Sequence, residues 1–300
     1  MAENSKIAWT THTWNPVTGC MKVSPGCDHC YAEGQAKRNT KTFGQWGPGA
    51  ARKRTSADNW RKVDKWHREA IAAGERHRVF TASMADVFDN AWEPQDRADM
   101  WDVIRRCTGL DFLLLTKRPQ NIAKMLPPDW GPGWPNVWLG CTAENQAEAD
   151  RRIPHLLAVP AVVRFLSCEP LLGPLHLVRW DADEGRYVGP AVIRSGGRTV
   201  GTQHEPSEGY DDSYMGVDWV ISGGESGPGA RPMRRVWDDA LQAQCQAAGI
   251  AFFRKQLGSN RRPGDWPDTI TGKGDDPTQW LAHLRVQQFP QPMESVHAQP

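Results

Sequence analysis

Long apolar runs are missing from this 300-residue chain, and none approaches the roughly 18 residues that a membrane helix needs. The opening Met1-Ala2-Glu3-Asn4-Ser5-Lys6 lacks the apolar stretch of a secretory signal. Neither charge sign dominates. Lys plus Arg is 36 and Asp plus Glu is 35, which argues against a polybasic, histone-like binder and leaves only a local patch open. Cysteine is sparse and odd in number, and seven in 300 residues is not a secreted disulfide framework. Together these absences point to a cytoplasmic protein in a reducing compartment, with no membrane partner. No internal repeat is visible.

What is present begins with turn formers and indoles. Gly (28) and Pro (23) make up about 17% of the chain, against roughly 12% in average usage. Trp numbers 15. Many turns and many large flat side chains fit long functional loops, and fit equally a Trp-rich core. The length suits one large or two small domains and needs no disulfide or metal staple.

Short, continuously apolar runs recur at residues 78–83, 111–116, 136–142, 161–167, 217–222 and 249–254, with a seventh near 7–14. Continuous rather than alternating runs predict strands buried on both faces, as in a parallel sheet. Helical patterns separate them. One is capped by Thr55 or Ser56, carries Trp60, Val63, Trp66, Ala70 and Ile71, and stops at Gly74. Others start at Pro94, span 121–126, span 144–157 with a bend at Pro154, and span 237–248. The expected class is therefore α/β, either doubly wound or a TIM-like parallel barrel, partial or full. Polar residues cluster at nearly every strand end, which favours the barrel, because a doubly wound sheet gathers its site at one switch point. Residues 1–258 form the expected barrel. Residues 181–215 read as a polar insertion that could act as a lid, and 259–300 as an irregular extension, disordered over its last dozen residues.

The strongest local signal is Cys20-Met21-Lys22-Val23-Ser24-Pro25-Gly26-Cys27-Asp28-His29-Cys30. Three thiols on a Pro-Gly turn can converge on one centre. A structural zinc would need a fourth ligand, His29 or His12. An iron–sulfur cluster would leave one iron open, and a redox or purely structural role is the third option.

The stretch from Trp14 to Cys20, then Gly26-Cys27-Asp28-His29-Cys30-Tyr31-Ala32-Glu33, resembles the opening of a phage- and bacteria-associated radical-SAM-like family with a three-cysteine motif and no assigned function. Residues 115–119, 137–140, 164–174 and 223–233 resemble it as well, so the likeness spans about residues 5 to 258. It implies a partial or full TIM-like barrel and a 4Fe–4S cluster held by Cys20, Cys27 and Cys30. It also implies S-adenosylmethionine on the open iron, an external electron donor, and a radical that abstracts hydrogen from substrate. A phage-encoded member would work in the host cytoplasm. In such enzymes the position of His29 lies against the adenine. Two departures stand out. The first cysteine gap is six residues rather than three, and Gly223-Gly224-Glu225 follows a late strand, whereas Ser83 and Asp86 stand where the family places its methionine-binding element. His29, Ser83, Asp86, Thr116, Glu144, Ser222, Gly223, Gly224 and Glu225 are the resulting cofactor-binding candidates.

Glu169 and Lys117 are candidate catalytic residues, as a strand-end acid or base and as a cation for an anionic ligand group. Lys255 after the last strand reads like Lys117. Cys141 and Cys168 could return a hydrogen atom to a substrate radical, although free cysteine is more often a small core residue. The alternative for Glu144, Glu169 and Glu225 is a helix N-terminal charge, a reading as good as a functional one for Glu144 and the weaker one for Glu169 and Glu225. Residues 35–68 hold Lys37, Arg38, Lys41, Arg52, Lys53, Arg54, Arg61, Lys62, Lys65 and Arg68, interleaved with Trp46, Trp60 and Trp66. Basic charge with flat aromatics suits DNA or RNA, whereas the spacing of Trp60, Val63 and Trp66 suits a helix packing them inward. The sequence thus supports a radical enzyme acting on a nucleic acid or nucleotide. A radical enzyme for a peptide or small metabolite, and a non-catalytic subunit working with a partner protein, stay open.

Overall fold

A computed structural model describes residues 3–177, 179–181, 186–188, 193–195, 198–200 and 216–290. Seven strands form one sheet: β1 (His12–Trp14), β2 (His77–Thr81), β3 (Leu110–Thr116), β4 (Val137–Thr142), β5 (Val163–Cys168), β6 (Trp219–Gly223) and β7 (Ala251–Gln256). They pair in chain order and every pairing is parallel. Right-handed crossovers in sequential order place every connecting helix on one face. The sheet therefore curls away from them into an α/β half-barrel, with β1 and β7 as its end strands. The sequential order excludes the doubly wound alternative.

The helix-side core takes Val79, Phe112, Leu114, Leu139, Leu166 and Val220 from the strands. Against them pack α2 (Ala57–Ala73), α3 (Pro94–Arg106), α4 (Gln146–Leu157) and α5 (Arg235–Ala247), while α1 (Tyr31–Arg38) follows the cysteine loop. Trp60, Val63, Trp66 and Ala70 of α2 are buried at helical spacing, and Gly74 ends it at φ 67°. The Asn145 side chain caps α4 by accepting from the Glu148 amide, so Glu144 stands before the helix.

Phe80, Leu113, Trp138, Phe165, Trp219, Ile221 and Phe253 face the concave side, and Trp9 packs among them. Trp9 meets Phe80 at 4.8 Å and Trp219 at 6.1 Å between ring centroids, which fills the end of the half-barrel where the strands begin. This explains why the first strand starts only at His12: residues 7–9 turn inward as a plug. Phe289 completes the plug at 5.5 Å from Trp219, beneath the Arg78 guanidinium at 4.0 Å.

The C-terminal stretch packs onto the half-barrel. Residues 259–290 are irregular, yet Trp266, Ile270, Trp280 and Leu284 are buried in the helix-side core. The Arg254 amide donates to Val286 O (2.8 Å) and the Gln288 amide to Phe252 O (2.9 Å), so the chain covers the edge of β7. Within the polar insertion, Arg179–Asp181 pairs with Arg186–Val188 and Ile193–Ser195 with Arg198–Val200, both antiparallel. The remainder of the expected lid, and residues 291–300, lie outside the described residues. Among the described residues no helix is long and apolar enough to cross a membrane.

Candidate functional site

The cysteine loop leaves the end of β1. Val17–Thr18 pairs with Lys53–Arg54, and the Gly19 amide donates to Met84 O (3.0 Å). Pro25–Cys27 makes one 3-10 turn and Cys30 is the N-cap of α1. Cys20, Cys27 and Cys30 are all free thiols and half-buried.

Three carboxylate–guanidinium couples at strand ends brace this loop. Asp86, after β2, accepts from three groups at the end of β3: the Thr116 hydroxyl (2.7 Å), the Lys117 amide (3.1 Å) and Arg118 Nη1 (2.8 Å). Arg118 Nη2 reaches Met21 O at 3.1 Å, and Nη1 lies 3.6 Å from Cys20 Sγ. Burial and then Asp86 push the Cys20 thiol up to about 11, against the pull of Arg118. After β4, Glu144 and Arg152 pair at 2.7 Å with both side chains fully buried. The other Glu144 oxygen accepts from the Gly26 amide at 3.0 Å. A Cβ on Gly26 would stand 2.9 Å from that carboxylate, so this position needs glycine. Burial raises the Glu144 carboxyl, but Arg152 and the Ser24 hydroxyl outweigh it and hold it below the usual range.

After β6, Glu225 binds Arg231 through Nε (3.0 Å), Nη2 (2.6 Å) and the backbone amide (2.8 Å). Arg231 also donates to Pro25 O (2.8 Å) and Asp28 (3.1 Å). Burial opposes ionisation of Glu225, yet Arg231 and His29 bring its carboxyl down to about 2. It is thus ionised, and His29 Nδ1 donates to it at 2.9 Å. The loop is held at Met21, Gly26, Pro25, Asp28 and His29 across the open end of the half-barrel.

Of the cofactor-binding candidates, His29, Asp86, Thr116, Glu144 and Glu225 therefore come together, as braces of the loop. Ser83 accepts from Asn15 Nδ2 (3.0 Å), and Ser83 O accepts from the Tyr31 hydroxyl (2.7 Å). Gly223 faces the interior, where a Cβ would stand 3.2 Å from Glu169. Gly224 is required by a chain crossing: a Cβ there would stand 2.5 Å from Leu257 O. Ser222 is a correction. It points to the helix side and donates to Asp238 (2.5 Å), buried under α5.

Cys141 and Cys168 are corrected likewise. Both are fully buried in the helix-side core, as is Cys245 of α5. Burial raises the Cys141 thiol to about 12 and the Cys168 thiol well above its usual value. Neither faces the interior, so neither serves as a hydrogen donor there. Lys117 is half-buried and its ammonium makes no ion pair among the described residues. Glu169 and Lys255 do face the interior, paired at 2.7 Å.

The basic segment is largely internal bookkeeping of charge. Arg52 pairs with Asp89 in the interior, and Arg54 pairs with Asp96 and Asp99 while stacking on Trp60 at 4.0 Å. Lys37, Arg61 and Lys65 pair with Glu33, Asp58 and Glu3. Trp60 and Trp66 are buried, so they are unavailable to stack on bases. Arg152, Arg231 and Asn15 were not singled out by sequence; only Arg231, six residues after Glu225 in a Gly-rich turn, carried a local signal.

Among the described residues, no three His, Cys, Asp or Glu side chains converge as ligands of one metal ion. Both candidates for a fourth zinc ligand are occupied elsewhere. His29 is bound to Glu225, and His12 lies at the start of β1, stacked on Trp66 at 4.3 Å. The loop itself thus offers three free thiols, Cys20, Cys27 and Cys30. No curated protein and no solved structure matches the chain. The profile of the family described as a protein of unknown function, DUF5131, matches residues 4–286, and the chain belongs to that family.

Proposed function

We propose that this chain is an iron–sulfur enzyme of the radical-SAM type on a partial TIM-like barrel, with Cys20, Cys27 and Cys30 as the cluster ligands. One observation carries the reading: three free thiols sit on a loop that three separate carboxylate–guanidinium couples hold over the open end of a half-barrel. Such bracing stabilises one loop conformation before any ligand binds, which is what a cofactor site requires. When bound, the cluster with S-adenosylmethionine supplies a primary carbon radical by one-electron reductive cleavage, fed by an external donor. The chain's own part is positional. Arg118, Glu144 and Arg231 fix the loop, and the Trp9, Trp219 and Phe289 plug keeps water from the far end.

The proposed substrate class is a nucleic acid or nucleotide. Its support is narrower than the sequence suggested, resting on the exposed Arg38 of α1, Lys41 just after it, and Lys62 and Arg68 of α2. Salt-dependent binding of DNA or RNA is expected, and its absence would redirect the search to peptides or metabolites.

The test is protein purified without oxygen, assayed for iron and sulfide, then by EPR after reduction with and without S-adenosylmethionine. About four irons per chain and a spectrum perturbed by S-adenosylmethionine are expected. Cys27→Ala should lose the iron and sulfide while keeping native circular dichroism. Zinc without sulfide, or full iron in Cys27→Ala, would overturn the assignment. A cluster with no turnover of S-adenosylmethionine under any reductant would identify a binding subunit instead.

A further inference from the structure

Besides Lys117, two charged side chains at the open end take no part in bracing the loop, and these two are paired with each other. Glu169 follows β5 and Lys255 lies in β7, with β6 between them. Alternation puts Glu169 on the face of Phe165 and Gly223 on that of Ile221, while Lys255 is the extra residue where the pairing of β7 with β6 shifts register, between Arg254 opposite Ser222 and Gln256 opposite Gly223. The Lys255 ammonium lies 2.7 and 2.8 Å from the two Glu169 oxygens. Gly223 makes this reach possible, since a Cβ there would stand 3.2 Å from the Glu169 side chain. Each side chain is 18% exposed, and among the described residues neither bonds to any other group.

Such a pair is poorly explained by stability. A partly exposed Lys–Glu pair adds little, and holding it on an otherwise aromatic wall costs desolvation. On the same face of neighbouring β4, the Thr142 hydroxyl is buried with no hydrogen-bond partner among the described residues, which is costly unless a ligand or water completes it. By contrast, Asp86 and Glu225, the acids that the sequence offered for a ligand ammonium, are already bound to Arg118 and Arg231.

The ligand chemistry follows from the charges. A simple anion at Lys255 would also meet Glu169, and a simple cation at Glu169 would also meet Lys255. A group with ammonium and carboxylate on one carbon satisfies both at once. We propose that Glu169 and Lys255 are the receptor for an α-amino-acid group, the ammonium on Glu169 and the carboxylate on Lys255. The inference rests on the reading above only where the amino acid is the end of an adenosyl cofactor; a free amino-acid substrate offers the same chemistry.

Titration calorimetry on the full chain separates these sources, with S-adenosylhomocysteine, 5′-methylthioadenosine and L-methionine as probes. S-adenosylhomocysteine is expected to bind at least about tenfold more tightly than methylthioadenosine, which lacks the amino-acid end. Glu169→Gln and Lys255→Met should each weaken S-adenosylhomocysteine about tenfold or more and leave methylthioadenosine unchanged. The double exchange Glu169→Lys with Lys255→Glu keeps the pair, and so the fold, but should still lose that probe because its charged groups would have to trade places. Losses confined to L-methionine identify a free amino acid as the ligand. If no amino-acid probe binds, or none responds to the variants, the inference is overturned. Iron and sulfide measured on the same samples keep the failures apart. An assembled cluster with unresponsive variants sinks this inference alone, whereas responsive L-methionine binding without iron sinks the cluster reading alone.

Discussion

His12 shows how much one side chain can tie the fold to pH. It is buried at the start of β1, stacked on Trp66, with Nε2 3.1 Å from His77 Nδ1 and its own Nδ1 without a partner among the described residues. Burial, then His77, lowers its pKa from 6.5 to about 4, against the weaker pull of Glu3 and Glu69. Between those values the unfolded chain binds a proton that the folded chain refuses. The stability contribution is therefore complete above pH 6.5 and is lost as pH falls toward 4. Linkage sets the loss between pH 7 and pH 5 at about 2 kcal/mol. Urea unfolding at the two pH values checks this. Wild type should lose about 2 kcal/mol more than His12→Phe, which keeps the stack and cannot titrate; equal losses would place the acid sensitivity elsewhere.

The elements differ in how far the sequence reveals them. Six apolar runs each became a strand of the parallel sheet, because strands buried on both faces are uniformly apolar. That same uniformity hides which face a residue takes. Cys141, Cys168 and Ser222 lie at strand ends, as sequence placed them, yet alternation sends them under the helices. The braces were half legible. Asp86, Glu144 and Glu225 stand out as strand-end acids, whereas Arg152 and Arg231 matter only once the fold brings the cysteine loop to them. Their effect on the loop is testable at Gly26. A methyl group there meets the buried Glu144 carboxylate, which cannot retreat without leaving Arg152, and so the loop must shift instead. Gly26→Ala should leave helix content and the unfolding midpoint close to wild type, since the loop is at the rim. It should reduce reconstituted iron per chain and speed the reaction of the half-buried thiols with a disulfide reagent. Unchanged iron and unchanged thiol rates would show that the loop's position is not set by Glu144.

At the scale of the molecule, an open half-barrel must protect two things that a closed barrel does not expose: its end strands and its hollow face. The insertion-free end of the chain does both. Residues 286–288 pair along β7, and Phe289 joins Trp9 and Trp219 in the plug, while Trp280 and Leu284 enter the helix-side core. The family profile ends at residue 286, within this covering stretch rather than before it. Composition rich in Gly, Pro and Asp disguised this role, because the segment packs by a few large anchors separated by turns and not by a periodic face. A chain ending at residue 275 would lose the cover of β7, two buried anchors and the Phe289 ring together. An uncovered, apolar edge strand is a template for pairing with another chain. The truncated protein should therefore run as soluble aggregate in size-exclusion chromatography, and Phe289→Ala alone should remain native in size while losing about 2 kcal/mol in urea unfolding. If the truncated chain instead ran at its native size with an unchanged midpoint, residues 276–290 would be an appendage, and the half-barrel would have to close its edge by other means.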